Sequence, residues 1–126
     1  MAGYAEKMGA TLAIIDDDEA VRDSMLFMLE ERGYEVKAFD SAESFLASSL
    51  VGFDCLLVDH HMPGMTGLEL LEHLRANTND TPALMITGRA DATILKRAEH
   101  IFVAVLHKPV PAEVLLETIA EICPPE

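Results

Sequence analysis

The chain is short of cations and of cysteine. Nine Lys and Arg residues stand against 22 Asp and Glu, a net charge of −13 over 126 residues. Nucleic acid and anionic membranes are both met through clustered Lys and Arg, so direct contact with either is not expected. Two cysteines, Cys55 and Cys123, do not make a disulfide framework. Cys55 sits inside an apolar run and Cys123 at the end of the last expected helix. Both read as reduced packing residues, the usage of a cytoplasmic protein. Long apolar runs are missing too, so no segment can span a bilayer as a helix. The opening MAGYAEKMGA has no apolar core of a secretory signal.

What remains is enough for one domain. Half of the residues are hydrophobic, and the length fits a single compact unit. We expect a flexible N-terminal extension over 1–10, a folded domain over 11–123 and a short tail over 124–126. Repeats and low-complexity tracts do not occur.

Four segments each end a short apolar run with a charge-handling residue: LAIIDDD, CLLVDHHMPG, ALMITG and AVLHKP. Such runs read as buried parallel strands. With EVKAF they predict five strands, at 11–15, 35–39, 54–58, 83–86 and 101–106. Helical periodicity predicts helices at about 19–32, from Ser41 to near 48, from 68 to about 76, at about 91–99, and from the first turn at Pro111 to Ile122. Val21, Met25, Met28 and Leu29 would share one face of the first helix, and Gly33 would end it. Val114, Leu115, Ile119 and Ile122 would share one side of the last. In the fourth helix only Ile94, Leu95 and Ala98 could face a core, and no glycine follows it. The alternation is (βα)5, a parallel sheet with helices on both faces and right-handed crossovers.

Chemistry in such sheets gathers at the carboxyl ends of the strands. Asp16, Asp17, Asp18, Asp59, Thr87 and Lys108 are therefore candidates for one site. Adjacent buried carboxylates require a compensating cation, and a hard ion such as Mg²⁺ prefers oxygen ligands. A carboxylate can also act as a nucleophile and form an aspartyl phosphate. A metal, an ammonium and a hydroxyl would neutralise and orient the phosphoryl oxygens. Asp18 directly precedes a helix and reads as its N-cap. His60 and His61 lack the further His or Cys ligands of a zinc site and are placed at the loop and site rim. His73, His100 and His107 read as surface residues.

These residues in combination resemble the receiver domains of bacterial two-component response regulators, over about residues 11–123. The acidic pair after the first strand, D-x-x-M-P-G-M-x-G after the third, T-G after the fourth and K-P after the fifth carry the resemblance. DDDEAVRDSM and FDSAESFL look most like receivers joined to helix-turn-helix output domains. The resemblance implies a flavodoxin-like, doubly wound fold with strand order 2-1-3-4-5. It implies that Asp59 is the phosphoacceptor. Asp17 would be a direct ligand of Mg²⁺ (or Mn²⁺), and Asp16 would act more through water. The metal would also meet Asp59 and the backbone carbonyl of His61. Thr87 would bind a phosphoryl oxygen and Lys108 the phosphoryl charge, with a cis Lys108–Pro109 bond. The implied partners are a histidine kinase or histidine phosphotransfer protein as donor, and a downstream protein or fused output domain. A homodimer through the fourth helix, fifth strand and fifth helix is a further possibility of the family.

The sequence departs from the family pattern in places. Where receivers carry an aromatic that turns inward on phosphorylation, this chain has Val105. Ile101 and Phe102 replace the usual Gly-Ala, and the spacing from Thr87 to Lys108 is shorter than usual. Read as strand, Ile101–Val103 would give the sheet an apolar edge suited to a partner, with Phe102 and Val105 on opposite faces. Two other functions compete. In a haloacid-dehalogenase-like phosphatase, Asp16 and Asp18 would form D-x-D, but further acidic ligands are missing. A receiver-like scaffold that never takes phosphate is opposed by the intact acceptor, acidic pair, Thr and Lys.

Overall fold

A computed structural model describes residues 9–125. Most of the expected N-terminal extension, residues 1–8, and Glu126 of the tail lie outside the described residues. Five strands alternate with five helices: β1 Thr11–Ile15, α1 Glu19–Glu30, β2 Glu35–Phe39, α2 Ala42–Leu46, β3 Cys55–Asp59, α3 Gly67–Ala76, β4 Ala83–Thr87, α4 Ala92–His100, β5 Ala104–His107 and α5 Ala112–Ile122. The strands are parallel and ordered β2-β1-β3-β4-β5. This is the flavodoxin-like arrangement that the resemblance implied.

Strand alternation divides the core in two. Ala13, Ile15, Leu56, Val58, Ala83 and Met85 face Phe45 of α2, Leu68, Leu71 and Leu74 of α3 and Ala98 of α4. Their neighbours Leu12, Ile14, Cys55, Leu57, Leu84 and Ile86 face Met25 and Leu29 of α1 and Leu115, Leu116 and Ile119 of α5. β1, β3 and β4 are buried along their whole length, as strands covered on both faces must be. Burial pushes the Cys55 thiol up to about 12, so it stays protonated and serves as packing. Cys123 is buried in the same cluster. Among the described residues no helix is long and apolar enough to cross a membrane.

Local chemistry fixes the helix ends. Asp18 caps α1 by accepting from Val21 N–H, and Ser41 caps α2 by accepting from Ser44 N–H. Thr66 and Glu69 form a capping box at α3. Gly33, at φ 95°, follows α1 in the left-handed conformation open to glycine. The Lys108–Pro109 peptide is cis, and His73, His100 and His107 are exposed.

Several expected boundaries shift. α1 ends at Glu30, α2 at Leu46 and α3 begins at Gly67; β3 and β4 each extend to the candidate site residue, Asp59 and Thr87. Pro111 is the N-cap of α5 rather than a first-turn residue. Val21 and Val114, expected in the core, are 38% and 40% exposed, as is Leu95 at 40%.

The largest correction concerns β5, which begins at Ala104 and not Ile101. Residues 101–103 form the turn that ends α4. Phe102 N–H donates to Glu99 O and Val103 N–H to Ala98 O, with Phe102 at φ 59°. β-Branched and aromatic character favoured a strand, but these backbone bonds stop the helix by a left-handed turn. The supposed apolar strand edge therefore does not exist. Ile101 is half-buried, Val103 is buried, and Phe102 alone projects, 89% exposed. The opposite-face relation of Phe102 and Val105 loses its basis with it, while Val105 is half-buried against the α3–α4 side of the core.

Candidate functional site

Strand register brings the site together. Ile15 pairs with Val58, Asp59 with Ile86 and Thr87 with His107. The residues just beyond these pairs emerge side by side at one sheet edge. Asp16 N–H donates to Phe39 O, His60 N–H to Ile86 O and Lys108 N–H to Thr87 O. Each strand end is thereby tied to its neighbour as the chain turns out of the sheet.

Asp16, Asp17 and Asp59 place one carboxylate oxygen each within 4.8 Å of one another. Asp16 and Asp59 are buried and Asp17 is exposed. Desolvation first, and then the Asp59 and Asp17 charges, raise the Asp16 pKa, against the Asp18 N–H bond and Lys108. Lys108 extends its ammonium to 2.8 Å from Asp59 Oδ1. Apart from that ion pair, Asp59 Oδ1 is a buried oxygen with no hydrogen-bond partner among the described residues. Desolvation lowers the Lys108 pKa, but the Asp59, Asp16 and Asp17 carboxylates outweigh it and the net shift is upward. Three carboxylates against one ammonium leave the cluster anionic. An under-bonded buried oxygen and an exposed carboxylate beside it fit a hard divalent cation open to water on one side.

Thr87 is fully buried, and its Oγ1 lies 2.8 Å from His61 Nε2 and 2.9 Å from the Arg89 carbonyl. The five residues expected at the site, Asp16, Asp17, Asp59, Thr87 and Lys108, thus share one sheet edge. Asp18 does not join the carboxylate group; its side chain is used as the α1 cap. That removes the D-x-D pair on which the phosphatase reading rested.

Three features were not foreseen. Arg22, one turn into α1, donates to the Asp16 carbonyl at 2.8 Å. Gly67 lets α3 start hard against Asp59: a Cβ there would stand 2.5 Å from the Asp59 carbonyl oxygen and 2.9 Å from His60 Cα. The glycine in MPGMTG was visible as a loop residue, but the close approach was not. His60 and His61 have separate tasks. Burial, and then His61, hold the His60 imidazole below its usual range, and its Nδ1 accepts from Leu68 N–H. The His61 ring reaches across to Thr87. Among the described residues the three aspartates are the only such group of possible metal ligands, so the two histidines do not join a metal cluster.

Comparison with known proteins gives one consistent picture. The family described as response regulator receiver domain matches residues 12–120. The transcriptional regulatory protein FixJ of Rhizobium meliloti is 39% identical over 111 residues, covering 86% of this chain and 54% of that protein. FixJ of Bradyrhizobium diazoefficiens is 41% identical over 86 residues, 68% of this chain and 42% of that protein. The matched part is thus about half the length of these curated relatives. Among solved structures, a CheY-like receiver domain protein from Methanospirillum hungatei superposes with a TM-score of 0.82 at 34% identity, covering 89% of this chain and 91% of that one. Vibrio cholerae chemotaxis protein CheY4 superposes with a TM-score of 0.81 at 28% identity, covering 90% and 98%.

Proposed function

Because the chain belongs to the response regulator receiver domain family, we propose that it accepts a phosphoryl group on Asp59 within a two-component phosphorelay. The observation that carries this reading is the buried Asp59 oxygen, 2.8 Å from the Lys108 ammonium and beside Asp16 and Asp17. An Asp59 carboxylate oxygen attacks the phosphorus, the O–P bond forms, and the bond from phosphorus to the donor breaks. The donor is the phosphohistidine of a histidine kinase or phosphotransfer protein, whose imidazole nitrogen keeps the electron pair. Lys108 then moves from the carboxylate to the phosphoryl oxygens, and Thr87 donates its hydroxyl proton to one of them. This is charge neutralisation and positioning, the main needs of phosphoryl transfer. Asp16, Asp17, Asp59 and the His61 backbone carbonyl would hold Mg²⁺ or Mn²⁺, which supplies positive charge to the phosphoryl oxygens. The protein acts as a switch, and its only chemistry is its own phosphorylation and dephosphorylation.

The domain is taken to run over 11–123, between an N-terminal extension (1–10) and a C-terminal tail (124–126), in the cytoplasm. The readout is a protein partner or an output domain, met through α4, β5 and α5, a face that also admits a second copy. Val105 has no ring to swing, so movement of the β4–α4 loop and α4 carries the change. The test is incubation with acetyl phosphate and Mg²⁺. Intact-mass analysis should show one added phosphoryl group, absent from Asp59→Asn. Full labelling of that variant would overturn the assignment.

A further inference from the structure

Asp17 is the least constrained member of the carboxylate group. It is exposed, and its side chain makes no hydrogen bond or ion pair among the described residues. Asp16 and Asp59 are buried and each is gripped. Asp16 Oδ1 accepts from the Asp18 N–H at 2.9 Å, and Asp59 Oδ1 stands 2.8 Å from the Lys108 ammonium. Asp17 nevertheless places an oxygen within 4.8 Å of theirs. With no grip on the side chain, its place is set by the main chain that carries it.

The carbonyls on either side of Asp17 turn to one residue, the half-buried Arg22. The Asp18 carbonyl accepts from the Arg22 main-chain N–H at 2.9 Å, the helical bond that an N-cap residue makes. The Asp16 carbonyl accepts from the Arg22 guanidinium Nη1 at 2.8 Å. A peptide unit is planar, so the Asp16 oxygen lies in one plane with the Asp17 nitrogen and Cα. Holding that oxygen fixes the direction in which the Asp17 side chain leaves. The preceding peptide is held by the sheet, through Asp16 N–H and Phe39 O at 3.1 Å. The peptide between Asp16 and Asp17 has Arg22 as its only partner among the described residues. The charges that move the Asp16 carboxyl are those of Asp59, Lys108 and Asp17; the Arg22 bond is to the main chain.

We propose that Arg22 is a positioning residue of the cation site: by holding the Asp16–Asp17 peptide it keeps the Asp17 carboxylate beside Asp16 and Asp59, where the three can meet one divalent ion. This rests on the reading that these residues hold Mg²⁺ or Mn²⁺. Arg22 bonds none of the three carboxylates among the described residues; it acts through Asp17. By charge alone its effect would have the opposite sign. A guanidinium repels a nearby cation, so removing it would tighten Mg²⁺ binding. Removing the hold on Asp17 weakens binding, and the sign of the change separates the two roles.

The experiment is a Mg²⁺ titration of the ¹⁵N-labelled chain with no phosphoryl donor, read from the amide resonances of Asp16, Asp17 and Asp59. Arg22→Met, which keeps the apolar stem, should bind about tenfold more weakly, the lower end of what losing a group behind a metal ligand costs. Arg22→Lys should stay within about threefold of the unaltered chain, because an ammonium can replace a single hydrogen bond where it could not replace a two-pronged one. In an Asp17→Asn background, Arg22→Met should cost little more, since the carboxylate it positions is already gone. Unchanged or tighter binding in Arg22→Met, an equal loss in Arg22→Lys, or full additivity of Arg22→Met with Asp17→Asn overturns the proposal and leaves the cation site standing. If Mg²⁺ moves none of the three resonances in the unaltered chain, the cation reading itself fails and takes the role of Arg22 with it.

Discussion

α3 and α4 flank the same site and are built to different standards. α3 begins against the end of β3, carries a capping box, and buries Gly67, Leu68, Leu70, Leu71 and Leu74. α4, which follows Thr87, buries only Ala98. Side chains hold its second half: Arg97 forms a two-pronged pair with Glu72 of α3, and Arg75 of α3 donates to the Ile101 carbonyl. Its first half has the Asp91 cap and a half-buried Ile94. Asp59 is thus set in close-packed structure, while the element beyond the Thr87 loop is lightly attached. A low-stability element is where a switch can move at small cost.

The largest expected effect breaks the packing on the rigid side. Leu71 is fully buried in α3, whereas Leu95 of α4 is 40% exposed. Leu71→Ala leaves a cavity and should cost about 2–5 kcal/mol. Leu95→Ala should stay within about 0.5 kcal/mol, as surface changes do. Denaturant unfolding of both variants checks this. Equal losses would mean that α4 is as much a part of the core as α3.

A smaller effect concerns charge on the Asp59 side. The folded-state pKa of Asp16 is raised, by desolvation first and then by Asp59 and Asp17. A raised folded pKa gives stability below the ordinary carboxylate range, which is lost as pH rises through the folded value. At neutral pH that contribution is lost, and Asp16 works against the metal-free fold. Asp16→Asn should raise the metal-free Tm at pH 7 by roughly 3 °C, the shift that about 1 kcal/mol produces in a domain of this size. The gain should shrink toward pH 4. Mg²⁺ should raise the Tm of the unaltered chain and move the variant much less. A lower Tm for the metal-free variant at pH 7 would show that the buried carboxylate is already compensated.

Much of this contrast could be read in the chain before folding. Four apolar runs that end in Asp16, Asp59, Thr87 and Lys108 place those residues at one sheet edge, because parallel strands end together. The shortage of apolar residues in α4 was equally plain. The strand order followed from the family resemblance, not from the pattern. The turn at 101–103 was misread, because apolar, β-branched residues look the same in a strand and in a helix-ending turn. Only the φ of 59° at Phe102 separates the two, and a large aromatic gives no sign of it. The reach of the His61 ring to Thr87 joins loops 26 residues apart, a proximity that no local spacing encodes.

The smallest effect tests the tether between the two helices. Arg97 and Glu72 meet at 2.9 and 2.6 Å, but their side chains are 45% and 34% exposed. Water and salt screen such a pair, and its worth is about 0.2–1 kcal/mol. Arg97→Ala should therefore barely change global unfolding, and less so at high salt. Its local effect is larger in proportion, since α4 has little else to hold it. Amide exchange should quicken across 92–100, most clearly at low ionic strength, and stay unchanged across 67–76. If both helices exchange faster together, α4 opens only with the whole domain. The difference between the close-packed Asp59 side and the lightly held facing side would then be one of packing alone, not of motion.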